Sequence, residues 1–535
     1  MAIALKNITS GYRLKKDEPA LFSDQTEMGQ ESDIYIPSIP MESLGDAGFT
    51  HDYGLRFAYV GGAMANGIAS VDLVCALSEA GMMGYFGSAG LSVSAVSTAI
   101  DELKQRLGTK SFGVNFIHSP NEPEVEEALA DLFIQKKVRY VEASAFLQLT
   151  KPIVRYRLRG IYRDANGVVQ APNKVMAKVS RVELGQLFFS PAPQNIIEEL
   201  VATGAITQEQ GVMALEIPIA SELTAEADSG GHTDFRPALA LIPTMLALKE
   251  NMQKKYQYAT QLRVGAAGGI STPTSAAAVF AMGAAYVVTG TVNQACVESG
   301  SSDLVREMLA KASQADVASC PCADMFEIGA KVQVLKLGTM FPMRANKLAE
   351  YYKAYRSLEE IPANVRATLE KQFFKKTLEQ TWEDTRVFFA DRDPKQNARA
   401  QIDPKHKMAL VFRSYLGQSS HWANRGIADR KFDFQIWCGP AMGAFNEWVK
   451  GTFLEAPEAR HVATVGLNIL YGTSVLNRLQ FLKMQGYDTS TLQLDTTPLS
   501  RATLEAILEK TKNSSNGEFA FTSSHDLKPE LGARL

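Results

Sequence analysis

The stretch 263–293, RVGAAGGISTPTSAAAVFAMGAAYVVTGTVN, decides the fold. It reads as strand, glycine turn, helix, strand, glycine turn and the start of another helix. The first strand is expected over 262–266, with Gly268 and Gly269 where it ends. Pro273 stands just inside a helix of small residues, with Ser271 or Thr272 as its cap. The second strand is expected over 285–289, and Gly290 and Thr291 open the next helix. Neighbouring parallel strands lie about 4.8 Å apart, so both turns present backbone N–H groups to one spot. Helix N-termini add partial positive charge there. Either turn alone would be an ordinary tight turn of an α/β protein. As a pair one βα unit apart, late in a β/α series, they read as the phosphate grip of a TIM barrel.

Upstream, the same alternation begins at Arg56. Strands are expected at 55–61, 83–86, 112–116, 138–142, 175–179 and 223–227, and the opening stretch supplies the seventh and eighth. Eight strands in this rhythm predict an α/β fold, a closed (β/α)8 TIM barrel over 55–300. A doubly wound sheet would need a dinucleotide fingerprint, and none occurs. Residues 1–54 are turn-rich, with prolines at 37 and 40, and are expected to form an N-terminal arm. Between the fourth and fifth strands, 154–162 and 168–170 predict a β-hairpin insertion with Asn166 and Gly167 in its turn. There Arg155, Arg157 and Arg159 alternate with Tyr156 and Leu158, which would put three guanidiniums on one strand face. Such a face either defends an edge strand against aggregation or docks an acidic partner. After Ser299 the alternation stops. Residues 302–317, 326–335, 344–357, 363–379, 382–391, 405–416, 440–450 and 459–485 read as helices. Residues 301–511 are therefore expected to be a helical substrate or partner domain. The tail 512–535 is expected to be disordered.

Composition narrows the function by exclusion. A hydrophobic content of 46% and a charged content of 21% are ordinary for a globular protein. A net charge of −3 gives no footprint for nucleic acid. The longest apolar run, 238–248, holds Pro243 and is too short to span a bilayer. Residues 1–10 carry only a short apolar run broken by Lys6, unlike a secretory signal. Five cysteines form no disulfide framework, and a reducing cytoplasm is the expected setting. Cys320 and Cys322 lack a second pair or a histidine nearby in sequence, so no metal is expected.

Active sites of TIM barrels sit at the C-terminal ends of the strands. Those ends carry Ala63, Met64 and Ala65, then Asn115, Lys178, Glu226, and the turn Ser229-Gly230-Gly231-His232. A lysine aimed into a barrel mouth meets an anion or a polarised carbonyl, whereas a snorkelling lysine would only coat the surface. His232 follows two glycines that set its ring toward the mouth, and Asp228 and Asp234 flank it. No GxSxG, HExxH or GxxxxGK[ST] motif occurs. A single phosphate grip fits phosphate-bearing substrates, flavin mononucleotide or pyridoxal phosphate equally.

Longer motifs carry a resemblance. GGAMANGIASVDLVCALSEAGMMGYFGSAG, FGVNFI, VMAKVS, EADSGGHTD, GAAGGI and VTGTVNQA resemble, in this order, the FMN-dependent barrel shared by nitronate monooxygenases and FabK-type enoyl-ACP reductases. FEIGAKVQVLKLGTMFPMRANKLAEYY, DPKHKMALVFRSYLG and QIWCGPAMGAFNEWV extend it over nearly the whole chain to the PfaD family, the trans-acting enoyl reductases of polyunsaturated fatty acid and polyketide synthases. The histidine turn here begins Asp228-Ser229, where the simpler relatives read nearer to AGGH. The resemblance implies flavin contacts from Ala63, Met64, Ala65, Asn115, Lys178 and Glu226, with Gly230, Gly231 and Ala267 completing the set. It implies phosphate contacts from Gly268, Gly269, Gly290 and Thr291. NADPH would reduce FMN, and the flavin would pass hydride to an enoyl thioester held on an acyl carrier protein. His232 would bind the thioester carbonyl or deliver the proton, and a homodimer is compatible with all of this. Two other functions fit the same residues: a nitronate monooxygenase-like flavin oxidase, and a non-catalytic flavin-bound scaffold protein of a synthase.

Overall fold

A computed structural model describes residues 39–120, 122–484 and 495–515, with residue 489 and short strands at 3–4, 12–14, 21–22, 34–36 and 492–493. Eight parallel strands close a barrel in chain order. They are β1 (Tyr59–Gly61), β2 (Met83–Phe86), β3 (Gly113–Ile117), β4 (Tyr140–Ser144), β5 (Lys174–Val179), β6 (Glu222–Glu226), β7 (Arg263–Ala267) and β8 (Val287–Thr289). Closure is direct: β8 pairs with β1, Thr289 opposite Gly61. Nearly every strand residue is buried, as a parallel sheet covered by helices requires.

The lower end of the barrel is stoppered from within the expected N-terminal arm. Asp46 caps the helix Ala47–Tyr53, accepting from Phe49 N–H at 2.7 Å. Phe49 stacks on Tyr286, and Tyr53 on Tyr140, so the helix fills the interior with aromatic rings. The arm therefore ends before residue 40, because its last turn-rich stretch is the barrel's plug. An ion network locks it. Arg263 at the start of β7 binds Asp46 (3.0 Å), Asp52 (2.8 Å) and the buried Glu222 (3.0 Å), while Tyr53 donates to Glu222 at 2.9 Å.

The helices α1 (Val71–Glu79), α2 (Val93–Leu107), α3 (Pro123–Gln135), α4 (Lys151–Leu158), α5 (Val182–Phe189), α6 (Ala238–Tyr256) and α7 (Pro273–Ala281) lie on the outside of the sheet. The ring is completed by α8 (Val462–Met484), which packs against α7 on one side and α1 on the other. Residues 290–461 are thus inserted between the eighth strand and its helix. The boundary expected at residue 300 is corrected accordingly: the barrel is discontinuous in sequence.

Two other expectations are overturned. Residues 154–158, read as strand, belong to α4, and the hairpin shrinks to Tyr162–Arg163 paired with Val169–Gln170. Its turn is as expected, with Asp164 accepting from Asn166 and Val168 N–H groups. A parallel β4–β5 pair needs a crossover on the outer face, and that demand outweighs local alternation. On a helix the three arginines diverge. Arg157 is buried on the carbonyls of Pro218 and Asn173, Arg155 pairs with Glu127 and Asp131, and Arg159 lies near the surface. The expected arginine face does not exist.

Within the insert, parts of 302–317 and 326–335 are strands. Val317–Pro321 and Lys331–Leu335 pair antiparallel, and Gly231–His232 adds a third strand beside Lys331–Leu335. Helices Phe341–Ala354, Leu378–Arg392, Pro394–Ile402 and Pro404–Arg425 surround this sheet with a second core. A helix runs from Arg501 to Ser515, so the expected disorder does not begin at 512; 516–535 lie outside the described residues. Among the described residues no helix is long and apolar enough to cross a membrane.

Removing Arg263 should leave Glu222 buried without its cation, at a cost of about 3–5 kcal/mol. Urea unfolding of Arg263→Met should show that loss. Arg263→Lys should recover only part of it, because a point charge cannot serve three carboxylates.

Candidate active site

The two glycine turns leave the barrel level with one another. Ala267 stands opposite Val288, so the residues that follow, Gly268-Gly269 and Thr289-Gly290, emerge side by side. Gly268 has φ +86°, and a Cβ there would fall 2.6 Å from the Ala227 carbonyl. That position tolerates no side chain. Gly269 has φ +75°, yet a Cβ there, or at Gly290, would meet nothing within 4 Å. Among the described residues neither Gly269 nor Gly290 gives its N–H to a protein acceptor. Thr272 caps α7 reciprocally with Ser275, and buried Asn293 holds the second turn through Thr289. These are rigid, open, donor-rich turns, and a phosphate fits them.

A charged cluster faces the same mouth. Lys178, on β5, lies 3.8 Å from Glu142 of β4 and 3.5 Å from Glu226 of β6. Burial alone would depress the lysine, but the two carboxylates hold it above its ordinary value. Glu142 is wholly buried, and burial raises its carboxyl despite Lys178 and the Ala63 N–H, which donates to Oε2 at 2.9 Å. Its Oε1 is buried without a partner. Asn115 sits opposite Glu142 in register and donates to the Glu142 carbonyl and to Ser144. The loop after β1 is clasped on its far side: Asn66 donates to Ser420 of the insert at 3.0 Å. Gly87 is a glycine because the Met64 carbonyl occupies the place of its Cβ.

His232 is held from outside the barrel. Its strand pairs with the insert, His232 opposite Val332, and Gln333 donates to Asp228 and to the Ser229 carbonyl. Gly230 lies against the backbone of Cys438 and Gly439, leaving no room for a Cβ. The ring is 41% exposed, and its Nε2 lies 3.0 Å from Asp324 Oδ1. Cys322 completes the group, with ligand-type atoms of all three residues within 4.8 Å. Burial works to lower the imidazole pKa, but Asp324 and then Cys322 outweigh it and push it up to about 10. His232 in turn holds Asp324 well below the usual carboxylate range against the burial that would raise it. The histidine missing from the sequence neighbourhood of Cys322 is therefore supplied by the fold. Three side chains remain one short of a four-ligand structural zinc site.

The family model for nitronate monooxygenase matches residues 57–324, and that for the inserted helical domain of [acyl-carrier-protein] S-malonyltransferase matches 355–434. The enoyl reductase domain of MlnA, from the macrolactin biosynthesis cluster of Bacillus amyloliquefaciens, superposes with a TM-score of 0.79 at 38% identity, covering 83% of this chain and 100% of that one. The chain belongs to the PfaD-like enoyl reductase family. A polyunsaturated fatty acid synthase component of Thraustochytrium sp. is 45% identical over 88% of the chain, and the polyketide biosynthesis protein PksE of Bacillus subtilis 44% identical over 85%. The chain spans only 32% and 60% of their lengths.

The PfaD-like barrel brings Ala63, Asn115, Lys178 and Glu226 to one mouth, with the paired glycine turns beside the histidine loop. Glu142 was missed on sequence grounds. Strand parity contained the signal: Glu142 pairs with Met176, two residues before Lys178 and on the same inward face.

Because the Glu142 carboxyl lies above its ordinary value, its ionisation opposes folding, and stability falls as pH rises from the unfolded pKa through the folded one. Removing Lys178 pushes that value further up. Lys178→Met should therefore lose more stability at pH 8 than at pH 5, by about 1.4 kcal/mol for each unit of added shift. Adding Lys178→Met to Glu142→Gln should cost nearly the same at both pH values in the same urea titrations.

Proposed function

We propose that the protein is an FMN-dependent, NADPH-using enoyl reductase acting on enoyl thioesters carried by acyl carrier protein domains of a multi-subunit synthase. What carries this reading is the placement of an open glycine grip, a buried lysine–carboxylate cluster and the His232 ring around one barrel mouth. Gly268, Gly269, Gly290 and Thr291 would hold the phosphate, and Ala63, Met64, Ala65, Asn115, Lys178, Glu226, Gly230, Gly231 and Ala267 the rest of the cofactor. When bound, FMN supplies the hydride that NADPH delivers and the β-carbon receives. Lys178 provides positive charge inside a site that excludes water, where it acts more strongly than in solution. His232 holds a proton beside the mouth for the α-carbon. The insert is fastened to the loops at the mouth, and its helical part matches a domain described for an acyl-carrier-protein transferase.

The decisive experiment is anaerobic. The purified protein should be yellow, should bleach with NADPH, and should recover its colour on adding an enoyl thioester. Recovery only with oxygen, together with turnover of alkyl nitronates, would instead favour a nitronate monooxygenase-like flavin oxidase; nitronate monooxygenase is the activity named by the matching barrel model. Failure to bleach at all would favour a scaffold.

Gly269→Asp should give folded, colourless protein, because a carboxylate would face the phosphate. Gly269→Asn tests the same left-handed backbone without the charge and should retain flavin. Equal flavin in both variants would remove the phosphate from this turn. His232→Ala should keep flavin and its reduction by NADPH while slowing reoxidation by the enoyl thioester about 100-fold or more. Unchanged reoxidation would leave His232 a structural residue.

A further inference from the structure

The loop 322–330 joins the two longer strands of the inserted sheet and lies beside the histidine turn. Two contacts fasten its far side. Phe326 is buried against Tyr352 and Phe412, with ring centroids 5.1 and 6.4 Å away, and Glu327 pairs with Arg413 at 3.1 Å. On the near side the Cys322 N–H donates to the Ala330 carbonyl at 3.1 Å, and the Cys322 thiol is buried beside the imidazole. Asp324 stands between these anchors. A loop tied at both ends has little conformational entropy left to lose, so its carboxylate is held in place before any substrate arrives.

We propose that Asp324 is a positioning residue for His232: bonded to Nε2 at 3.0 Å, it fixes the ring so that the proton given to the α-carbon leaves from Nδ1. This rests on the reading of His232 as the proton donor. In that step the Nδ1–H bond breaks, a C–H bond forms with the electron pair of the enolate, and the neutral imidazole recovers a proton from water. Asp324 stays ionised throughout, consistent with the strong lowering of its carboxyl. The other charged groups near the turn are engaged elsewhere. Asp228 accepts from Gln333 and Thr233, and Asp234 accepts from Arg181 and Ser180 with Arg236 nearby. Lys331 lies on the neighbouring strand, next to Val332, and is exposed. Cys322, whose thiol burial keeps protonated, adds a second contact to the ring without a charge.

The test compares Asp324→Asn and Asp324→Glu with the parent, by two readouts. Single-turnover reoxidation of NADPH-reduced protein by an enoyl thioester gives a pH profile, and 15N-labelled histidine gives the ring titration directly, with His232→Gln identifying the signal. In the parent both should report an imidazolium that persists to about pH 10. In Asp324→Asn both should fall toward the ordinary value near 6.5. That change predicts a loss of about 100-fold or more at pH 9 and little loss at pH 6. Asp324→Glu should restore part of the alkaline reach. Parent-like profile and titration in Asp324→Asn, while His232→Ala is slow, would overturn the proposal and leave the proton donor intact. Normal reoxidation in His232→Ala would sink the underlying reading instead. Stoichiometric zinc in the purified protein would also overturn the proposal, because a metal would occupy the nitrogen that Asp324 is said to bind.

Discussion

The barrel's ring of helices has to close, and the chain closes it late. Between α7 and α1 the sheet would lie bare unless α8 filled the gap, and α8 begins only at Val462. It fits tightly. A Cβ at Gly472 would fall 2.5 Å from Pro273 of α7, and one at Gly466 would crowd Met82 and Tyr59. Thr473 also donates to the Pro273 carbonyl at 3.1 Å. Both ends of the insert, residues 290 and 461, are consequently fixed on the barrel, and in a (β/α)8 fold a segment between strand and following helix rises from the catalytic face. The insert stands over the mouth because topology leaves it nowhere else to start or finish.

That placement divides the site between two bodies. The barrel alone supplies the glycine turns and the Lys178 cluster, built on strands whose register is set by main-chain hydrogen bonds. The insert supplies what holds His232: the pairing strand, Gln333, Cys322 and Asp324. Further contacts pin the insert to the barrel's rim. Arg392 donates to both Glu122 carboxylate oxygens through Nε and Nη2, Lys395 pairs with Glu124, and Asn66 donates to Ser420. The exposed Lys395–Glu124 pair contributes little by itself. The bidentate Arg392–Glu122 pair, half sheltered, gives orientation as well as energy.

How much of this was legible depended on whether neighbours in sequence were neighbours in space. The eight strands and the paired glycine turns were readable because each βα unit is local and its punctuation is explicit. The same locality misled at 154–162, where arginines alternating with apolar residues looked like an edge strand. The crossover between parallel β4 and β5 made those residues a helix, and no local pattern announces a crossover. In the insert, Lys331–Leu335 is strand because it has a partner on each side, one of them the histidine turn nearly 100 residues upstream. The meeting of His232 with Cys322 and Asp324 was invisible for the same reason. Glu142 is different: its inward parity with Lys178 is legible once the strand register is known, but a carboxylate inside a predicted strand carries no local sign of its partner. The plug helix was hidden by its polar ends, since Asp46 and Asp52 face Arg263 rather than solvent.

The two charged clusters at the mouth are built to opposite ends. Around Lys178 one cation meets two carboxylates, and the more buried of them, Glu142, is the one whose ionisation burial opposes. Coulomb attraction at 3.5–3.8 Å from two carboxylates outweighs burial and raises the lysine above its ordinary value, which favours its charged form. Around His232 one imidazole meets one carboxylate and a neutral thiol, so the proton is retained well above neutrality while the ring stays partly open to solvent. A fixed cation deep in the barrel and an exchangeable proton at its rim are different tools. Both are cations whose carboxylate neighbours raise their pKa, so what separates them is depth and access to solvent rather than the direction of the shift. The first role needs only burial inside a closed sheet. The second needs a ring that is accessible yet held by charge, which a barrel strand end cannot give unaided, and this is the physical reason for reaching His232 from a loop of the insert.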